Sequence, residues 1–291
     1  MPTLLLLLSI ILSTGRNLLS KNLSGVAFGT RSFFDRQSIL FAFGALALLL
    51  FGSPQIKIPS PETVLFSIIY GILLILAQWF YTISLGGGST ALCSTVYSLG
   101  FILPALSGAL IWSEPFSVFD TFGILCAILA ILFSRSNNEK NANTDKKYFI
   151  PLIVAMLASG GLGIMQKIQQ KSDAKDEKSI FLIIAFLLAA LISYALSLFV
   201  KAEIENTESK KTKNKSLLVA IGIGIAFGCC NLLNTALAGL LPSTVFFPTL
   251  NIGVILATML CSIFLFKERL GRKEIFVLMF GGMSIFLLNI G

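Results

Sequence analysis

Apolar runs about as long as a bilayer's hydrocarbon core recur along the whole chain, and nothing else constrains its fold as strongly. A helix crosses hydrocarbon with roughly 17–25 mostly apolar residues. That length is met near 3–22, 36–52, 62–85, 89–112, 116–134, 149–169, 179–200, 216–239, 242–266 and 273–290, the second being the shortest. Breakers fall at the borders: Pro54, Pro59 and Pro61 before the third run, Gly86, Gly87 and Gly88 before the fourth, Pro115 before the fifth and Pro242 before the ninth. The two longest connections, Ser134–Tyr148 and Lys201–Lys215, are rich in Lys, Asn and Glu and read as solvated linkers. The first run does not read as a cleaved signal peptide, because Arg16 and Lys21 follow its Leu run instead of preceding it. The sequence therefore predicts an all-α integral membrane protein with ten transmembrane helices.

Composition agrees and narrows the chemistry. Hydrophobic residues make up 55% of the 291 and charged residues only 12%, where a soluble domain carries about a quarter. There is no His and only 14 Asp and Glu, which excludes His-based catalysis and starves a carboxylate metal cage. With no acid pair or nucleophile–base constellation, no enzyme activity is expected. The cysteines Cys93, Cys126, Cys229, Cys230 and Cys261 each sit inside an apolar run without metal-ligand spacing, so they read as small buried hydrophobes. No metal site and no cofactor are expected.

The net charge of +8 would suggest nucleic acid in a soluble protein. Here the basic residues lie in short connections, where they set orientation, and nucleic acid is not an expected partner. Connections after odd-numbered runs carry fifteen Lys and Arg, whereas those after even-numbered runs carry four, Lys57, Lys171, Lys175 and Lys178. The positive-inside rule then puts both termini outside.

An internal repeat is the most informative pattern. Shifted by 153 residues, Gln78, Tyr81, Thr82 and Gly86 fall on Asn231, Asn234, Thr235 and Gly239. With one more residue, Ser89, Thr90, Thr95 and Glu114 meet Ser243, Thr244, Thr249 and Glu268. At a shift of 146, Ser13, Gly15 and Lys21 meet Ser159, Gly161 and Lys167. The chain divides into residues 1–134, a polar linker over 135–148, and residues 149–291. Each half holds five runs, and because five is odd the second half enters the membrane upside down. Two inverted five-helix repeats are the plan of many secondary transporters.

Several pieces resemble the EamA branch of the drug/metabolite transporter superfamily. They are Gly15 to Lys21 closing the first run, Trp112-Ser113-Glu114-Pro115-Phe116 between the fourth and fifth, Phe266-Lys267-Glu268-Arg269-Leu270 as a Glu-Arg-Leu turn, and Gly281-Gly282 in the last run. The family's proline at the start of the fourth and ninth helices is displaced to Pro104 and Pro248. The resemblance spans essentially the whole chain and implies a ten-helix transporter in the cell membrane, working by alternating access.

Polar residues in spans face the bundle or a wet cavity, and helical spacing gathers them into stripes. Gln78, Tyr81 and Thr82 share a face of the third run, and Asn231, Asn234 and Thr235 the matching face of the eighth. Thr90, Ser94 and Tyr97 line the fourth, opposite Thr244, Pro248 and Asn251 in the ninth, where Pro248 leaves the Thr244 carbonyl without its helical donor. Either these stripes line a midplane substrate cavity or they bond neighbouring helices, each bond contributing about 0.6 kcal/mol. Ser13, Arg16, Asn17 and Ser20 form a broad polar face on the first run. Arg16 either meets an anion through its bidentate fork or snorkels to the interface. Lys21 and Lys167 end matched helices as gating charges or snorkelling residues, and Glu114 and Glu268 read as structural turn residues. Gly224 and Gly228 form a GxxxG pair, and Gly160, Gly161 and Gly163 cluster in the sixth run, as at close helix crossings.

With no carboxylate in the first helix, cationic-drug efflux is disfavoured. The sequence points to a transporter, as an exporter, of amino acids or related zwitterions and anions. The rivals are efflux of drugs or lipophilic compounds, and a lipid-linked sugar flippase. Expected partners are the bilayer, a small-molecule substrate, and a proton or another coupling ion, with the chain as monomer or homodimer.

Overall fold

The computed structural model describes residues 2–20, 30–54, 58–85, 93, 96–133, 149–200, 210–266 and 272–290. Among them there are helices and no strands. We number the α-helices α1 (Pro2–Ser20), α2 (Arg31–Phe51), α3 (Pro61–Leu85), α4 (Ile102–Trp112), α5 (Val118–Phe133), α6 (Phe149–Lys171), α7 (Lys178–Phe199), α8 (Lys210–Leu240), α9 (Ser243–Phe266) and α10 (Arg272–Ile290). Seven of the described helices are long and apolar enough to cross a membrane, and three shorter apolar helices accompany them. The chain is a multi-pass membrane protein. Its outward faces carry Leu191, Leu198, Phe119 and Phe122, each half-exposed or more, as lipid solvation allows.

Local chemistry sets the ends. Thr30 caps α2, accepting from the Phe33 N–H at 3.1 Å, so α2 starts at Arg31 and is longer than the apolar run alone predicts. Pro61 opens α3 behind Ser60, whose hydroxyl accepts from the Thr63 N–H. Ser117 and Asp120 form a capping box at the start of α5, each backbone N–H donating to the other's side chain. The fourth run is not one straight helix: a 3-10 turn over Leu99–Phe101 leads into α4. Pro104 is the third residue of α4, directly after that 3-10 turn. The linker expected over Lys201–Lys215 is partly helical, because α8 reaches back to Lys210 with no Pro or Gly to stop it before Gly222.

Two apolar cores hold the bundle. One gathers Phe41, Leu48, Tyr70, Leu74, Phe181 and Phe186 where α2, α3, α7 and α8 meet. The other gathers Phe101, Ala105, Ile124, Phe246, Leu250 and Leu288 where α4, α5, α9 and α10 meet. The GxxxG pair works as expected: a side chain on Gly224 or Gly228 would collide with the backbone of Leu40 or Gly44 in α2. Gly160 and Gly163 do the same for α6, against Leu103 and Pro104. Helix α6 joins the first core through Met165, and α1 packs Leu5, Leu6 and Ile10 on the second; α1 lies on α8 and α9, α6 on α3, α4 and α8.

Candidate functional site

The seam between α1 and α8 is polar. Ser9, Ser13 and Arg16 recur at helical spacing on one face of α1, and Phe227, Cys230 and Asn234 on the facing side of α8. Ser9 donates to Asn234 Oδ1 at 2.5 Å, and the Ser13 hydroxyl donates to Cys230 Sγ at 3.4 Å. The Arg16 guanidinium lies 4.8 Å above the Phe227 ring centroid and donates to Asn17 Oδ1 at 3.3 Å. A cation over an aromatic face gains about 0.5–2 kcal/mol. Tyr97 is within electrostatic range of Arg16, has Ser159 of α6 against its hydroxyl, and packs its ring 4.8 Å from that of Tyr81. Arg16, Asn17, Tyr97, Tyr81 and Ser159 thus come together from α1, the segment before α4, α3 and α6, while Asn234 bonds Ser9 two turns of α1 away. The arrangement offers a guanidinium, hydroxyls, an amide and ring faces, a set that suits an anionic group attached to an apolar body.

Other residues of the stripes are engaged elsewhere. Asn231 is buried in a knot linking three helices: Tyr70 donates to its Oδ1 at 2.5 Å, Gln166 donates to both Tyr70 (2.9 Å) and Asn231 (3.3 Å), and Asn231 Nδ2 donates to the Phe227 carbonyl. Thr82 bonds the Gln78 carbonyl and Asn251 the Phe247 carbonyl, each within its own helix. Gln78 is half-buried on α3, and Thr235 is fully buried with no hydroxyl partner among the described residues. Pro248 is buried inside α9. Ser94, Lys21 and Glu268 lie outside the described residues. The repeat had already matched Ser159 to Ser13, but Tyr70 and Gln166 went unnoticed, since a single Tyr or Gln in an apolar run carries no periodic signal.

A second polar centre lies at one end of the bundle. Ser113 takes a left-handed conformation (φ 50°) that ends α4, and the Glu114 N–H closes the turn on the Gly108 carbonyl at 3.1 Å. The reversal aims the Glu114 side chain inward. Its Oε1 meets Lys167 Nζ of α6 at 2.5 Å, and its Oε2 accepts from the Ser243 backbone N–H at 2.7 Å. Lys167 also donates to the Leu241 carbonyl at 3.0 Å. Lys167 is 1% exposed, so it does not snorkel: a carboxylate and a carbonyl inside the bundle satisfy it better than a longer reach to the interface. Burial alone would push the Glu114 carboxyl up, but the Lys167 hydrogen bond, the Ser243 N–H and the Lys167 charge outweigh it and hold the group below the usual range.

No protein-family model matches the chain, and no curated protein matches it in sequence. In fold it is similar to 28 solved chains. One of them, a crystal structure of a protein with no stated function, shares 14% sequence identity and covers 99% of this chain and 96% of its own, with a TM-score of 0.77. Likeness at that identity concerns the fold alone.

Proposed function

We propose that the chain is a secondary transporter of small metabolites, amino acids or related zwitterions and anions, resembling the EamA branch of the drug/metabolite transporters. In this reading ten transmembrane helices form two inverted repeats, residues 1–134 and 149–291, in the plasma membrane. Matched contacts support the repeat. Gly71 of α3 abuts Ala185 of α7, and Gly224 of α8 abuts Leu40 of α2. Those contacts exchange when the chain is shifted by 153 residues (71 to 224) and 145 (40 to 185). Phe41 and Phe186, themselves 145 apart in sequence, meet edge to face. Such reciprocity is what a two-fold axis relating the halves requires.

The observation that carries the substrate class is Arg16, a cation set over Phe227 and within electrostatic range of Tyr97, on a helix, α1, whose sequence has no Asp or Glu. Its fork pairs with carboxylate or phosphate. Transport of cations would want an acid there. A flippase of lipid-linked sugars is the rival reading, favoured by the light packing of α1, of which 17% is buried.

A thermal-unfolding screen in detergent against amino acids, nucleosides, sugar phosphates and cationic dyes tests the reading. A ligand at a hundred times its Kd stabilises by about 2.7 kcal/mol. We expect a shift with one zwitterionic or anionic class that Arg16→Ala abolishes; a shift with dyes alone would overturn it.

A further inference from the structure

The contacts of Glu114 and Lys167 draw four helices together. Glu114 follows α4, Lys167 stands near the end of α6, and Leu241 and Ser243 bracket the turn from α8 to α9. Gly108 is required at this crossing, since a side chain there would collide with Glu114 Oε2 and Ser243. The centre therefore shuts the bundle at the end where the α2–α3, α4–α5, α6–α7 and α8–α9 connections gather.

The matched seam is built differently. Helix α6 packs along α8 as well as α3 and α4, whereas α1, its counterpart by repeat, packs on α8 and α9 and makes no comparable seam with α3 among the described residues. One end of the central region is drawn together by α6 and α8. The corresponding α1–α3 seam is not.

We infer that the Lys167–Glu114 pair is a latch closing one end of the bundle, and that it parts when the α8–α9 turn and the end of α6 separate to pass solute. The inference rests on the transport reading above. An ion pair suits a latch. Burying two charges costs hydration that their attraction only partly offsets, and opening to water returns that hydration. Closed and open states then lie close in free energy, which apolar contacts alone would not allow.

The test places a reporter cysteine in the polar cluster around Arg16, Ser159→Cys, and labels it with a charged, membrane-impermeant thiol reagent in right-side-out and inside-out vesicles, subtracting labelling of the protein's own cysteines. With the pair intact, we expect labelling from one face. Lys167→Met should raise labelling from the other face about tenfold, through the open fraction of molecules. The amide pair Lys167→Gln/Glu114→Gln, which removes the charge attraction but still gains hydration on opening, should do the same if the single variant folds poorly. Labelling that stays one-sided in both broken-pair variants, with wild-type melting, would overturn the latch. Labelling that switches sides in a protein that moves none of a solute panel would count against transport and leave the latch standing.

Discussion

The hydroxyl of Tyr70 donates to Asn231 Oδ1 inside the bundle, where Tyr70 is fully buried, and Gln166 bonds both. Three helices thereby share one closed polar knot. Removing the hydroxyl leaves two amides short of a partner away from water, at about 1–3 kcal/mol. We expect Tyr70→Phe to lower the melting temperature in detergent while leaving ligand-induced stabilisation intact. Asn231→Ala should cost at least as much, since it breaks three of the bonds. A loss of ligand response at wild-type stability would instead move Asn231 into the substrate site.

The α2–α8 crossing depends on backbone contact. Gly228→Leu should abolish the folded protein or cost several kcal/mol, because the Gly44 backbone cannot yield as a side chain can. Gly282→Ala, with nothing within 4 Å of its Cβ position, should be near neutral. Detergent melting curves of the two variants check the pair.

Acid should weaken the protein through Glu114. Its folded pKa lies below its ordinary value, so the stabilisation is present above the unfolded pKa of about 4.3 and is lost as pH falls through the lower, folded one. We expect the melting temperature of wild type to drop in that acidic window. Glu114→Gln should start lower and show a shallower drop. Parallel pH profiles of the two proteins would assign the acid sensitivity elsewhere.

Much of this was legible in the sequence. Hydrocarbon-length runs marked the helices, because a backbone in lipid has few alternatives. The close crossing at Gly224 and Gly228 and the cation at Arg16 were readable for the same reason: polar or small residues stand out against Leu and Phe. Partnerships were not. Glu114 and Lys167 are 53 residues apart in sequence, and only the reversal at Ser113 brings them together. Nor did the stripes holding Thr82 and Asn251 disclose that each bonds its own helix, since helical spacing gives a face and not a rotamer. The start of α8 was misplaced because Lys-rich sequence reads as solvated whether or not it is helical.

The guanidinium of Arg16 should set both affinity and class. Arg16→Lys keeps the charge but loses the fork, so we expect weakened binding, and Arg16→Ala none. Melting shifts titrated with the stabilising ligand distinguish the two. Equal affinity in wild type and Arg16→Ala would return Arg16 to the interface as a snorkelling residue.

The most direct measurement is counterflow into proteoliposomes. Purified protein is reconstituted with a high internal concentration of the zwitterionic or anionic solute that stabilises it, and uptake of labelled solute from outside is followed. We expect labelled solute to accumulate transiently in wild-type vesicles and not in Arg16→Ala vesicles of matched protein content. Uptake no faster than in protein-free vesicles, with a solute that demonstrably binds, would contradict transport as the function.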